Sequence, residues 1–361
     1  MNISSRKPTA ASAGIALIVV MISVAVLSVL AVGLALMMKT EIRLAQNADS
    51  EEQIYWLGRS GVELARWVLA QEASIPNEPY DSLNQIWAGG PGGMDETNSP
   101  LNGISLQGYQ VGEGTVSLKI IDLERKVNIN SADPVLLRQV FTVMGVDAND
   151  VSTLVDSIGD WIDPDDLPRT AGAESDYYQS LSPNAYLAKN APLDDLSEML
   201  QIKGVTPEMY WGPAAGQHTG TGAHQKLGFG NAPGQEPQYA FGLVDVFTPF
   251  SAGRININTA DANVLQMIPG VDENTAQDII KARSGPDGVD GTADDTPFRS
   301  PGELAKVDQQ LAQQAGRFCD VRSHTFEVHV TAHYGNAQRE FIAIIVRNSN
   351  KDVRVVGFRW N

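Results

Sequence analysis

The chain has 361 residues, 43% hydrophobic and 19% charged, and a formal net charge of −17. That apolar content excludes a disordered polymer, and so acidic a surface repels phosphate backbones and anionic membrane surfaces while suiting cations. One cysteine, Cys319, rules out an intramolecular disulfide and reads as a small buried hydrophobe.

Residues 1–14 (MNISSRKPTAASAG) carry only Arg6 and Lys7 as charges, and Ile15–Met38 then runs without any charge. As helix this run is about 36 Å long, enough to cross a hydrocarbon core of about 30 Å. Three readings meet this start. A secretory signal peptide has a shorter apolar region, and a cut near Ala31 or Ala35 has weak context. A plain signal anchor fits the length. A prepilin-type leader places basic residues and a Gly before the apolar run and is cut at Gly14–Ile15 on the cytoplasmic side. Arg6 and Lys7 keep that end inside, so the body is exported.

No turn residue follows the apolar run. From Glu41 to about Gln71 the residues Ile54, Leu57, Gly61, Leu64, Ala65 and Val68 recur at helical spacing, which predicts one face packed on a sheet. Pro76 and Pro79 stop the helix. Residues 86–115, rich in Gly, Pro and Asn, read as an irregular surface loop. Val116–Asp122 alternates as a strand with Val116, Leu118 and Ile120 on one face. Ser131 or Asp133 then caps a helix that has Pro134 in its first turn. Val151–Trp161 and Leu193–Leu200 read as further short helices, and Pro213–Gly234 as a mobile Gly-rich loop. Arg254–Asp261 (RININTAD) echoes Lys126–Asp133 (KVNINSAD), so an internal repeat of strand end, Asn, cap and helix is expected. Thr325–Ala332, Arg339–Arg347 and Val353–Phe358 alternate as an antiparallel meander, with Tyr334-Gly335-Asn336 at one turn.

The expected fold class is α+β: a long N-terminal transmembrane and amphipathic helix on an antiparallel sheet, split by a large all-α insertion with helix-hairpin-helix units. The boundaries drawn are 1–14 for the leader, 15–38 for the membrane segment and 39–75 for the amphipathic continuation. Residues 76–125 form the first part of the α/β domain, 126–315 the inserted helical domain and 316–361 the closing strands.

Four stretches, taken in order, resemble a known family, the minor pseudopilin K of bacterial type II secretion systems. They are the leader junction Gly14-Ile15-Ala16-Leu17-Ile18-Val19; the helix residues Ile42–Ala48 with Tyr55-Trp56; the signature Asp160–Arg169 (DWIDPDDLPR) with Gly172–Tyr178; and Ser197–Pro207 followed by Arg254–Ala260. The resemblance covers most of the chain. It implies a pilin-like fold with no enzymatic activity. It also implies processing by a prepilin peptidase, an inner-membrane anchor with a periplasmic body, and assembly with other minor pseudopilins in a heterotrimeric tip on the major pseudopilin. Most pseudopilins resemble one another in a glutamate five residues into the mature chain, where this sequence has Val19. An unpaired charge in lipid is costly, so a subunit with no neighbour above it does without one. Val19 is otherwise simply another lipid-facing residue.

Two acidic stretches are calcium candidates. Asp287, Asp290, Asp294 and Asp295 lie on a bendable Gly-rich stretch that does not match the EF-hand spacing, and a solvated acidic turn is the competing reading. Asp160, Asp163, Asp165, Asp166, Glu174 and Asp176 form the second, where some carboxylates are also placed to cap helices. The family resemblance implies calcium in the helical domain without assigning ligands. Ile268–Ile280 and Ile202–Pro207 look like helix-hairpin-helix turns, but Asp272 and Glu273 sit where a phosphate needs cations, so nucleic acid is not expected as a partner. The five histidines include no HExxH pair, and no nucleophile elbow, P-loop or dinucleotide fingerprint is present.

The leader reading is checked by coexpression with a prepilin peptidase. The mass is expected to fall by Met1–Gly14, leaving Ile15 as the new N-terminus, and Gly14→Ala to be cut better than a bulky replacement. An intact leader, or a cut beyond Ala31, contradicts it.

Overall fold

The computed structural model describes residues 11–92, 99–213 and 239–360, leaving aside the side chains of 11–14 and 45–48. Most of the leader, residues 93–98 of the predicted loop and the Gly-rich stretch 214–238 lie outside the described residues. Helix α1 (Ala11–Glu72) runs 62 residues without a break. No proline interrupts it, and the hydroxyls of Ser23, Ser28 and Thr40 return to carbonyls four residues back at 2.8, 2.8 and 3.0 Å. That satisfies the hydroxyl donors of Ser23 and Ser28 within the apolar run and of Thr40 just past it. The helix is long and apolar enough to cross a bilayer.

From Ile54 onward α1 has an inside. Ile54, Leu57, Val62, Ala65, Val68 and Leu69 are buried against a five-stranded antiparallel sheet. Its first strands are β1 (Tyr109–Val111) and β2 (Gly114–Asp122), and β2 turns Val116, Leu118 and Ile120 toward the helix. The segment before β1 departs from the sequence expectation. Residues 86–115 are not merely a surface loop: Ile86, Trp87, Leu101 and Leu106 are buried in the same core. Trp87 sits edge-on to Phe326 at 5.3 Å and donates its indole N–H to Gln85 Oε1 at 2.8 Å. Glycine and proline mark where such a segment turns, but not where the large apolar side chains between the turns are anchored.

After β2 the chain leaves the sheet. It forms β3 (Val127–Asn128), α2 (Pro134–Val143), α3 (Ala148–Ile162), α4 (Ser175–Gln179), α5 (Pro207–Trp211), α6 (Leu243–Val246), β4 (Phe247–Thr248), β5 (Ile255–Asn256), α7 (Ala262–Leu265), α8 (Glu273–Arg283), α9 (Gln309–Phe318) and β6 (Cys319–Asp320). The predicted helix at 193–200 is a 3-10 turn, Leu196–Gln201, closed by an Asp195/Glu198 capping box. Strands β7 (Thr325–Tyr334), β8 (Ala337–Ser349) and β9 (Asp352–Trp360) then complete the sheet in the order β1-β2-β7-β8-β9. The helical block is therefore inserted between two hydrogen-bonded neighbours, β2 and β7, in register Val116↔Ala332 and Ile120↔Val328. Buried residues form two clusters, one under α1 and one within the block.

The sequence repeat is a repeat of hydrogen bonds. β3 pairs in parallel with β4, and β5 with β6. Asn128 Oδ1 accepts from the N–H of Asn130 and Asn256 Oδ1 from that of Asn258, both at 2.9 Å. Asn130 brackets the backbone N–H and C=O of Leu193 (2.7 and 3.0 Å), and Asn258 does the same to Phe298 (2.9 and 2.9 Å). Asp133, not Ser131, caps α2, and Asp261 caps α7. Asparagine recurs because its short planar amide holds a donor and an acceptor side by side, matching the N–H and C=O of one residue. Cys319, on β6, is fully buried, and burial pushes its thiol up to about 12.

The tightest contact of α1 is at its glycines. A Cβ on Gly58 would lie 2.4 Å from the Phe341 ring, and one on Gly61 would lie 2.4 Å from Val330. A helical Gly→Ala change normally gains about 0.5–1 kcal/mol. At Gly58 overpacking outweighs that gain, and Gly58→Ala is expected to destabilise by about 1–3 kcal/mol. Gly316→Ala in α9, with open space around it, is expected to stabilise slightly. Thermal unfolding of the full chain in detergent measures both.

Candidate metal centre

Helix α3 ends at Ile162 with Asp163 as its C-cap, just before Pro164, and this end sets Asp160 and Asp163 on one side. The chain doubles back through 164–174 because Arg169 folds over both. Its backbone N–H meets the Asp160 oxygens at 3.2 and 3.1 Å, and its guanidinium reaches Asp160 at 3.1 Å and Asp163 at 2.8 Å. Two glycines permit this. A Cβ on Gly159 would meet the Arg169 guanidinium at 1.9 Å, and one on Gly172 would meet Asp160 Oδ2 at 1.8 Å. Aromatic packing of Trp161 on Tyr178 (5.2 Å) and Tyr178 on Tyr186 (5.1 Å) holds the returning segment down. Lys203, from the predicted hairpin 202–207, bonds the carbonyls of Ala171 and Gly172 at 3.2 and 3.0 Å.

This fold brings one carboxylate oxygen each from Asp163, Asp165 and Glu174 within 4.8 Å of one another. Glu174 is 4% exposed, and neither of its oxygens has a hydrogen-bond partner. Asp163 Oδ1 and Asn190 Oδ1 are likewise buried without a partner. Asn190 adopts φ 48°, a left-handed conformation asparagine tolerates. Its amide N–H donates to Asp165 O and Asp166 Oδ1, both at 2.9 Å, which fixes the oxygen on its other side. Burial, then the charges of Asp160, Asp163, Asp166 and Asp165, push the Glu174 carboxyl up to about 7. Buried oxygens carrying negative charge without donors are the donor set of a hard divalent cation.

The other candidate residues are placed differently. Asp160 is fully buried on Arg169, and burial still raises its pKa. Asp166 accepts from Ser175 at 3.0 Å and from Asn190, while Asp176 is exposed in the first turn of α4. In the 285–295 loop the carboxylates are engaged by the loop itself. Asp290 takes a two-point contact from Arg283 (3.1 and 2.6 Å) and the Ser284 hydroxyl at 2.8 Å. Asp294 accepts from Thr292 Oγ1 at 2.7 Å and Asp287 N–H at 3.0 Å, which holds its carboxyl below the usual range. Asp287 accepts from Val289 N–H at 2.8 Å and Asp295 from Gly291 N–H at 2.8 Å. Sequence reasoning missed Asn190, because an amide outside the acidic run carries no pattern.

The hairpin at 268–280 joins α7 to α8 through Gly270 at φ 88°. Asp272 caps α8, and Arg283 at its far end is buried on Asp290. An anion would meet carboxylates at this turn.

Comparison with known proteins agrees with this architecture. The profile for type II secretion system (T2SS) protein K matches residues 117–211, and that for a helix-hairpin-helix motif matches residues 251–309. Type II secretion system protein K of Pseudomonas aeruginosa is 25% identical over 349 residues, covering 95% of this chain and 91% of that protein. The putative type II secretion system protein K of Escherichia coli K12 is 28% identical over 211 residues, 55% of this chain and 59% of that protein. Among solved structures, a chain in the crystal structure of the GspK-GspI-GspJ complex from enterotoxigenic Escherichia coli shares the fold. Its TM-score is 0.58 at 18% identity, covering 88% of this chain and 99% of that one. With its apolar leading helix, its sheet and a helical block inserted between two neighbouring strands, the chain is GspK-like, similar in sequence and fold to type II secretion system protein K.

Proposed function

We propose that this chain caps the tip of a type II secretion pseudopilus, anchored in the inner membrane by α1 with its body in the periplasm. The observation that carries the reading is one helix continuous from Ala11 to Glu72, apolar where a membrane would surround it and buried against a sheet beyond Ile54. Such a helix passes from bilayer to rod without a hinge. Its partners are other minor pseudopilins, in keeping with the GspK-GspI-GspJ complex that shares the fold, with the major pseudopilin below and a prepilin peptidase acting first. The role is structural. Val19 in place of an acidic residue and a bulky inserted block both suit a subunit with nothing stacked above it. In cells lacking this chain, the native gene is expected to restore export and Val19→Glu to give no gain. Better export with Val19→Glu overturns the capping role.

The helical block holds calcium, with Asp163, Asp165, Glu174 and Asn190 as its ligands. The ion would offset two of the three carboxylate charges and tie the end of α3 to the segments at 174 and 190. Its support is the buried oxygens of Asp163, Glu174 and Asn190 that lack donors, with the exposed Asp165 carboxylate within reach of the first two. Sites of the extracellular kind bind at roughly 10⁻⁴–10⁻³ M, so stabilisation is expected at millimolar calcium. At about 100 times the dissociation constant it reaches about 2.7 kcal/mol. Magnesium is expected to substitute poorly. Glu174→Gln with Asp163→Asn is expected to abolish the calcium-dependent rise in melting temperature. Asp290→Asn with Asp294→Asn is expected to lower basal stability and leave that rise intact. The reverse pattern places the ion in the 285–295 loop.

A further inference from the structure

Where the helical block meets the sheet, the chain buries more negative than positive charge. Asp81, Asp122 and Glu124 are 2%, 2% and 1% exposed. The buried guanidinium here, Arg347, is taken by Asp81 at 2.5 Å and by the carbonyls of Ser323 and Leu69 at 2.8 and 3.3 Å. Asp122 collects four donors: the Glu124 N–H (2.8 Å), the hydroxyls of Thr259 and Ser323 (2.5 and 2.6 Å) and the Asn256 amide (3.2 Å). Among the described residues, the N–H donors to Glu124 are both backbone groups. One of its oxygens accepts from Ala252 in the helical block at 2.8 Å, the other from Thr325 at the start of β7 at 2.9 Å. The same side chain thus touches both halves of the molecule.

Among the described residues no cation pairs with Glu124. Lys126 donates to Val244 O at 2.8 Å, with Asp245, Glu327 and Asp261 around it. Arg254 pairs at the surface with Asp320 at 3.5 Å, and the His324 ring sits on Arg347 O at 3.1 Å. Arg125, next in sequence, is only half-buried. Two adjacent buried carboxylates cannot both ionise cheaply, and they titrate as a pair. Burial and then the neighbouring Asp122 push Glu124 up to about 8, and burial raises Asp122 as well.

We propose that Asp122 and Glu124 hold one proton between them at neutral pH, which spares the joint a second buried charge, and that the Glu124 clasp between the helical block and the sheet gives way when that proton is lost in alkaline solution. The folded carboxyl binds its proton more tightly than the unfolded one. Stability from the clasp is therefore complete below the ordinary glutamate range and is lost as pH rises through about 8. Between those limits the opening equilibrium at this joint is expected to rise by up to about tenfold per pH unit.

The test is amide exchange at Ala252 and Thr325 in the full chain in detergent, from pH 6 to 9, corrected for the intrinsic base-catalysed rate. In the native chain the corrected rates are expected to climb across this range, and in Glu124→Gln to stay flat, whatever that variant's basal stability. Equal slopes in the two chains overturn the proposal. If Glu124→Gln does not fold, the protonated-carboxyl stretch is followed by infrared absorption in a Glu174→Gln background, which removes the other carboxyl pushed up to about 7. A band present at neutral pH and lost toward pH 9 supports the shared proton, and its absence at neutral pH overturns it.

Discussion

The close approach of α1 to the sheet is the constraint on which the rest is built. A helix that is apolar all round in its first half and packs only in its second has one stripe left for its own domain, and here Gly58 and Gly61 bring that stripe onto Phe341 and Val330. Because the glycines have no side chains, the sheet sits almost on the helix backbone. Ile54, Leu57, Val68 and Leu69 seal the contact above and below. The direction of the rod and that of the body are thereby fixed together. A body hung on a flexible linker would transmit neither.

The insertion is possible because β2 and β7 pair directly, so the sheet does not need the helical block to close. The block has its own core, and what joins it to the sheet is largely polar. Asn256 reaches the Asp81 carbonyl, Asp122 and Ser323, while Arg347 pairs with Asp81. Buried polar contacts add little net stability, but they define one arrangement and penalise others, because each shift leaves a group unpaired. The joint therefore specifies an orientation more than it supplies adhesion. The same logic governs the acidic turn after α3, where Arg169 balances Asp160 and Asp163 but leaves Glu174 unbalanced.

Much of this was legible in the sequence, and the physical reason is periodicity. The helix, strands β2, β7, β8 and β9, and the split of the sheet follow from spacings of three to four and of two, which reflect burial directly. The asparagine repeat was visible as a pattern, though its cause, a backbone bracketed by one amide, appears only in three dimensions. Trp87, Leu101 and Leu106 were missed because an irregular segment buries side chains without any period. Asn190 and Arg169 were missed as site residues for a related reason. A residue that completes a charge balance across a turn is defined by position, not by spacing. The acidic loop at 285–295 looked like a ligand set in sequence, yet its carboxylates bond the loop's own amides, hydroxyls and Arg283. Asp in Gly-rich turns does both kinds of work, and composition cannot separate them.

The measurement closest to the central claim is the mass of the assembly formed when the leader-processed full chain is purified in detergent with two other minor pseudopilins. The account predicts one stable complex containing a single copy of each, with this chain at the end and no second copy able to join above it. A chain that remains alone with every pseudopilin offered, or that stacks repeatedly on itself, contradicts it.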